Sequence, residues 1–118
     1  MPARPLGRLR KGREFDSAYS EGIVFNGPFF VVRVLSNDLG MERYGFAVGK
    51  RLAPSSVVRN RTRRRLRESV REVRAGTEPG SADVIITAKA RVLGASYREL
   101  VREIGCQLER ALSQQVAK

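Results

Sequence analysis

The chain has 118 residues, with 23 Lys and Arg against 12 Asp and Glu, so one modest core must carry a formal charge of +11. Histidine is absent and the single cysteine is Cys106. These absences exclude an intrachain disulfide, Cys-rich zinc sites and the usual His-based general base or nucleophile pair.

In chain order, residues 1–11 read as a flexible basic arm with Arg8, Arg10 and Lys11. The arm lacks the apolar stretch of a secretory signal. Its acid-free arginines also fit a mitochondrial presequence, but it runs straight into a helix, and the cytoplasm is the expected location. Phe15, Ala18 and Tyr19 have the i, i+3, i+4 spacing of a short amphipathic helix from Arg13 to Ser20, stopped by Gly22. Ile23 to Phe25 is a brief strand, Asn26-Gly27-Pro28 a turn, and Phe29 to Leu35 a β-branched and aromatic strand. On that strand Phe30, Val32 and Val34 form a uniformly apolar face, whereas Phe29, Val31, Arg33 and Leu35 form a mixed one.

After the turn at 36–40, Tyr44 to Lys50 is a second clear strand. Phe46 and Val48 share one face, and Gly45, Ala47 and Gly49 leave the other almost without side chains. That bare face is either a shallow trough for an extended nucleotide strand or the seat of a packed helix. Phe15 and Tyr19 are open in the same way, between core packing and base stacking.

Ser55 and Ser56 open the long helix that dominates the charge. From Arg59 to Arg74 there are eight arginines and two glutamates. At about 100° per residue, Leu66, Val70 and Val73 face a core with Thr62 and Ser69 beside them. Asn60, Arg63, Arg64, Arg67, Arg71 and Arg74 gather on an adjoining stripe. Like charges at i, i+4 destabilise an isolated helix, so the stripe implies a polyanionic partner. Glu68 and Glu72 read as intrahelical partners of these arginines. Gly76 and Pro79-Gly80 end the helix, and Val84 to Ala88 is a buried strand. A capping box at Ser96 and Glu99 opens the last helix, with Leu100, Ile104, Leu108 and Leu112 at i+4 spacing and Cys106 within it. The sum is an α+β fold: a single small domain ordered helix, strands, helix, strand, helix around one central sheet of about four strands.

The segments Phe46-Ala47-Val48-Gly49-Lys50-Arg51 and Val58-Arg59-Asn60-Arg61-Thr62-Arg63-Arg64-Arg65-Leu66-Arg67-Glu68 resemble the signature of the bacterial ribonuclease P protein subunit. Arg8 to Lys11 with Glu14-Phe15 and Tyr19, Asp83 to Lys89, and Tyr97 to Leu100 extend the resemblance over nearly the whole chain. The resemblance implies a left-handed strand-helix-strand crossover, against the general right-handed preference. It also implies a division of labour: an RNA subunit holds magnesium and cuts precursor tRNA, and the protein has no catalytic residue or metal of its own. By position, Arg59, Asn60, Arg61, Arg63, Arg64, Arg67 and Arg71 would contact ribonuclease P RNA or phosphates. Phe15, Tyr19, Val31, Arg33, Ala47 and Gly49 would line the cleft for the 5′ leader. Arg8, Arg10 and Lys11 would supply a basic arm. No membrane and no small-molecule substrate is expected.

Three positions depart from the family pattern. Arg33 stands for a usual aromatic, Glu21 for a basic or polar residue, and Ala53-Pro54-Ser55-Ser56 for a Gly-Asn turn. Competing readings are a solvated arginine helix, a structural RNA-binding protein, a self-sufficient carboxylate-magnesium nuclease, and a helix-turn-helix DNA binder. The last lacks its leading helix and turn.

Overall fold

The computed structural model describes residues 7–10, 12–78 and 80–116. Its elements are β1 (Gly7–Arg8), α1 (Gly12–Glu21), β2 (Ile23–Asn26), β3 (Phe30–Ser36), β4 (Glu42–Ala47), α2 (Ser56–Arg74), β5 (Ala82–Ala88), a 3-10 turn (Ala90–Val92) and α3 (Tyr97–Val116). The strands form one sheet in the order β1-β4-β5-β3-β2. It therefore has five strands where about four are expected. The addition is β1, two residues long, paired in parallel with β4 through Gly7–Arg43 and Arg8–Tyr44. No period is readable over two residues, which is why this segment reads as arm. Its position is fixed instead by Leu9, which is buried and donates its amide to the Tyr44 carbonyl at 3.1 Å. Residues 7–10 are therefore part of the sheet edge; Arg4 and Lys11 lie outside the described residues.

β5 is central, antiparallel to β3 and parallel to β4. β4 and β5 are joined through α2, which makes the strand-helix-strand unit to which the expected crossover refers. A central strand is covered on both faces, and Val84, Ile85 and Ile86 are all fully buried. The larger core lies between the sheet and α2 and α3. It unites Phe30, Val32 and Val34 of β3 with Leu66, Val70, Leu100, Ile104 and Leu108. A smaller core on the opposite face joins Leu9, Ala18 and Ile85, with Phe15 and Leu35 against it. α1 covers only part of that face.

Both long helices begin on side-chain caps. The Ser55 hydroxyl accepts from the Val58 amide at 3.4 Å. Ser96 and Glu99 form the reciprocal capping box, at 3.0 and 3.1 Å. Thr62 and Ser69 can occupy the buried face of α2 because their hydroxyls donate to the Val58 and Arg65 carbonyls. β4 stops at Ala47, three residues short of the expected end, because the chain turns there and the Ala53 amide bonds the Gly49 carbonyl.

Candidate nucleic-acid interface

The arginines of α2 divide into two sets according to what their guanidinium groups touch. Three fasten the helix. Arg59 donates to the Ala53 and Pro54 carbonyls, both at 2.8 Å, which ties down the turn before the helix. Arg65 donates to the Ala95 carbonyl at 2.8 Å, across to the start of α3. Arg74 departs from the stripe on which the helical wheel sets it. It turns to Glu42 on β4, donating at 3.0 and 2.5 Å.

The second set faces outward. Asn60, Arg61, Arg64 and Arg71 are exposed, with Arg63 and Arg67 half-buried. Val57, Asn60, Arg61, Arg63, Arg64 and Arg67 line one concavity. Asn60 accepts a hydrogen bond from Arg63, so the uncharged residue in the run orients a charged one. Glu68 and Glu72 do not neutralise this surface. Neither forms an ion pair among the described residues, and Glu72 instead lies 3.5 Å from the Tyr97 hydroxyl.

Arg67 links this surface to a second hollow, lined by Arg8, Leu9, Arg10, Phe15, Tyr44, Gly45 and Phe46. Its guanidinium lies 5.7 Å from the Phe46 ring centroid, and Phe46 stacks on Tyr44 at 6.3 Å. Burial lowers the Arg67 pKa, and the charges of Arg8, Arg71 and Arg63 lower it further. Its Nε is buried without a hydrogen-bond partner. A guanidinium crowded by its own kind would be favoured by any anion brought near it. Alternation places Phe46 on the core face, which is correct, but its role beneath Arg67 depends on its position near the sheet edge.

On the α1 side, part of the bare face of β4 is the seat of a packed helix. A Cβ at Gly45 would come within 2.6 Å of the Phe15 ring and 3.2 Å of Leu9, so glycine here is the seat of a packed helix. Gly49, past the end of β4, is exposed, with nothing within 4 Å of where its Cβ would lie. Strand register lines up Asn26, Val31, Thr87 and Ala47 across four strands beyond Phe15. Phe15 is half-buried and joins the small core. Tyr19 is 43% exposed and lies under Arg33, whose guanidinium is 4.8 Å from the ring centroid. The two aromatics thus divide between packing and surface. Thr87, absent from the sequence-derived set, has a buried hydroxyl without a hydrogen-bond partner at this floor; a threonine within an apolar strand gives no signal of that.

A family model described as Ribonuclease P matches residues 4–112. The chain belongs to the ribonuclease P protein family. A ribonuclease P protein component from Thermoanaerobacter sp. (strain X514) is 35% identical over 97 residues, 82% of each chain. The one from Gluconacetobacter diazotrophicus is 35% identical over 105 residues, 88% of this chain and 90% of that one. The RNase P protein from Thermotoga maritima superposes with a TM-score of 0.78 at 23% identity, covering 87% of this chain and 96% of that one. The Staphylococcus aureus protein gives 0.73 at 24%, covering 97% of both. These structures share the fold: a small α+β domain with one mixed sheet and three helices.

Three carboxylates of this ribonuclease P protein, Glu14, Glu42 and Asp83, are held by arginines. Arg43 holds Asp83 at 2.7 Å and Glu14 at 3.3 Å, and Arg74 holds Glu42. Among the described residues no group of three or more His, Cys, Asp or Glu is placed to hold a metal ion. No helix among them is long and apolar enough to cross a membrane.

Proposed function

We propose that this chain is the protein subunit of a bacterial, cytoplasmic ribonuclease P. In this reading the holoenzyme removes the 5′ leader from precursor tRNA. The RNA subunit performs the cleavage with magnesium that it holds itself, and the protein lowers the magnesium requirement. The observation that carries the reading is the outward set Arg61, Arg63, Arg64, Arg67 and Arg71, which has no carboxylate partner among the described residues and adjoins a cleft of different character. Guanidinium groups grip phosphates through paired hydrogen bonds, so α2, with Asn60 orienting Arg63, docks the RNA subunit. Arg59 contributes its remaining donors at the start of the helix. Arg8 and Arg10 extend the charge to the sheet edge, and Lys11 completes the basic arm. The leader lies over Val31, Ala47 and Gly49, between Phe15 on one side and Tyr19 with Arg33 on the other.

Glu14, Glu42 and Asp83, the carboxylates on or beside the sheet, are already held by arginines, which disfavours a magnesium site built from these three. The test is reconstitution. The protein alone leaves precursor tRNA intact, and adding ribonuclease P RNA gives cleavage at lower magnesium than the RNA achieves by itself. Cleavage by the protein alone, abolished by a carboxylate substitution, would refute the proposal.

A further inference from the structure

Arg33 lies at the middle of β3, in a row that runs Val24, Arg33, Ile85, Gly45 across four strands. α1 covers this row, with Phe15 over Gly45, Ala18 packed with Ile85, and Tyr19 under the Arg33 guanidinium. Two strands away on the same face, Arg43 is neutralised by Asp83 and Glu14. Arg33 is not. It makes no hydrogen bond or ion pair with any described residue, and its one described interaction is the Tyr19 ring. A guanidinium laid on a ring keeps its charge, and its N–H donors point outward in its own plane.

This arrangement bears on what the cleft can read. Base stacking on an aromatic is worth about 1–3 kcal/mol, but a base taking the ring face that Arg33 covers must first displace Arg33. That displacement forfeits about 0.5–1 kcal/mol of cation–π attraction and moves a charge with no other partner. A phosphate needs no displacement, because no other described residue takes up the Arg33 donors.

We propose that Arg33, held over the Tyr19 ring, grips a backbone phosphate of the RNA strand in the cleft, so that this end of the cleft reads charge instead of a base. The proposal rests on the leader reading above. It makes Arg33 a residue that relaxes sequence preference at one leader position and raises the salt sensitivity of leader binding.

The test uses holoenzyme reconstituted from the full chain and ribonuclease P RNA, with precursors carrying a long leader or none. Arg33→Gln should flatten the dependence of log affinity on log salt by about 0.7 for the leader-bearing precursor, the value for one single-strand phosphate contact. It should leave the leaderless substrate unchanged. Arg33→Lys should retain the slope. A single uncharged methylphosphonate linkage in the leader should reproduce the loss in the unchanged protein and add nothing in Arg33→Gln. An unchanged slope, equal effects on both substrates, or a loss reproduced by an abasic leader position and not by the methylphosphonate would each overturn the proposal. Equal affinity of the unchanged protein for the two substrates would overturn the leader reading itself. Leader-dependent affinity with an unchanged Arg33→Gln slope would overturn this proposal alone.

Discussion

Glu42 is 2% exposed and accepts four hydrogen bonds: two from Arg74, one from the Tyr44 hydroxyl at 2.7 Å and one from the Gly80 amide at 2.8 Å. Glu42→Ala would leave a hydroxyl and an amide unpaired in one small space, with the Arg74 guanidinium keeping only its bond to the Glu78 carbonyl. Breaking a buried ion pair from one side costs about 3–5 kcal/mol. A chain of this size is expected to have about 6–18 kcal/mol of total stability. At a urea m-value of about 2 kcal/mol/M, the midpoint should fall by about 1.5–2.5 M with the slope unchanged. Arg74→Ala should cost nearly as much, and the double variant little more, because the two residues act as a unit.

The pH dependence has a definite sign. Burial pushes the Glu42 carboxyl up, but Arg74, the Gly80 amide and Tyr44 together hold it below its ordinary 4.5. A carboxyl depressed on folding stabilises fully above its unfolded pKa and loses that contribution as pH falls through the folded value. Urea midpoints of the unchanged protein should therefore drop on acidification below about pH 4.3. Those of Glu42→Ala should lack this component. A neutral-pH shift under about 0.5 M, or parallel acid profiles for the two proteins, would refute the argument that this pair anchors the end of α2.

Gly45→Ala should destabilise by about 1–3 kcal/mol in urea unfolding through the clash with Phe15; unchanged stability would show that α1 can retreat at no cost. The two sets of α2 arginines should respond differently to truncation. Arg61→Ala and Arg64→Ala should change stability by less than about 0.5 kcal/mol, yet flatten the salt dependence of RNA-subunit binding by roughly 0.7–0.9 each. Arg65→Ala should instead lower stability by about 1 kcal/mol through the lost bond to the Ala95 carbonyl. A reversed pattern, measured by urea unfolding and salt-titrated binding, would undo the division.

Most of the fold was legible because its elements carry strong local codes. The alternation of Phe30, Val32 and Val34, the apolar run of β5 and the Ser96–Glu99 box each named its element, and the wheel of α2 found Leu66 and Val70 as its seat. A wheel gives azimuth and nothing more. It set Arg74 on the outward stripe because Glu42, 32 positions earlier in sequence, is invisible to it. It could not tell Arg59 and Arg65, which fasten, from Arg61 and Arg64, which do not. The bare face of β4 was ambiguous for a related reason. Gly45 and Gly49 are identical in sequence terms, and only the arrival of Phe15 at one of them separates seat from opening. β1 escaped because two residues have no period and Leu9 finds its partners across the sheet.

The strand order also sets a timetable. β5 lies between β3 and β4, so until residues 82–88 have been made those two strands have no common neighbour. α2 is made earlier, bearing all its arginines, before either β5 or α3, the helix it packs against, has been made. During synthesis the arginine run therefore precedes the sheet that presents it, and non-local pairing of this kind closes late. For that interval the arginine run has neither the central strand nor the last helix to hold it in place. Insertion of β5, followed by docking of α3, is what gives the arginine run a fixed shape.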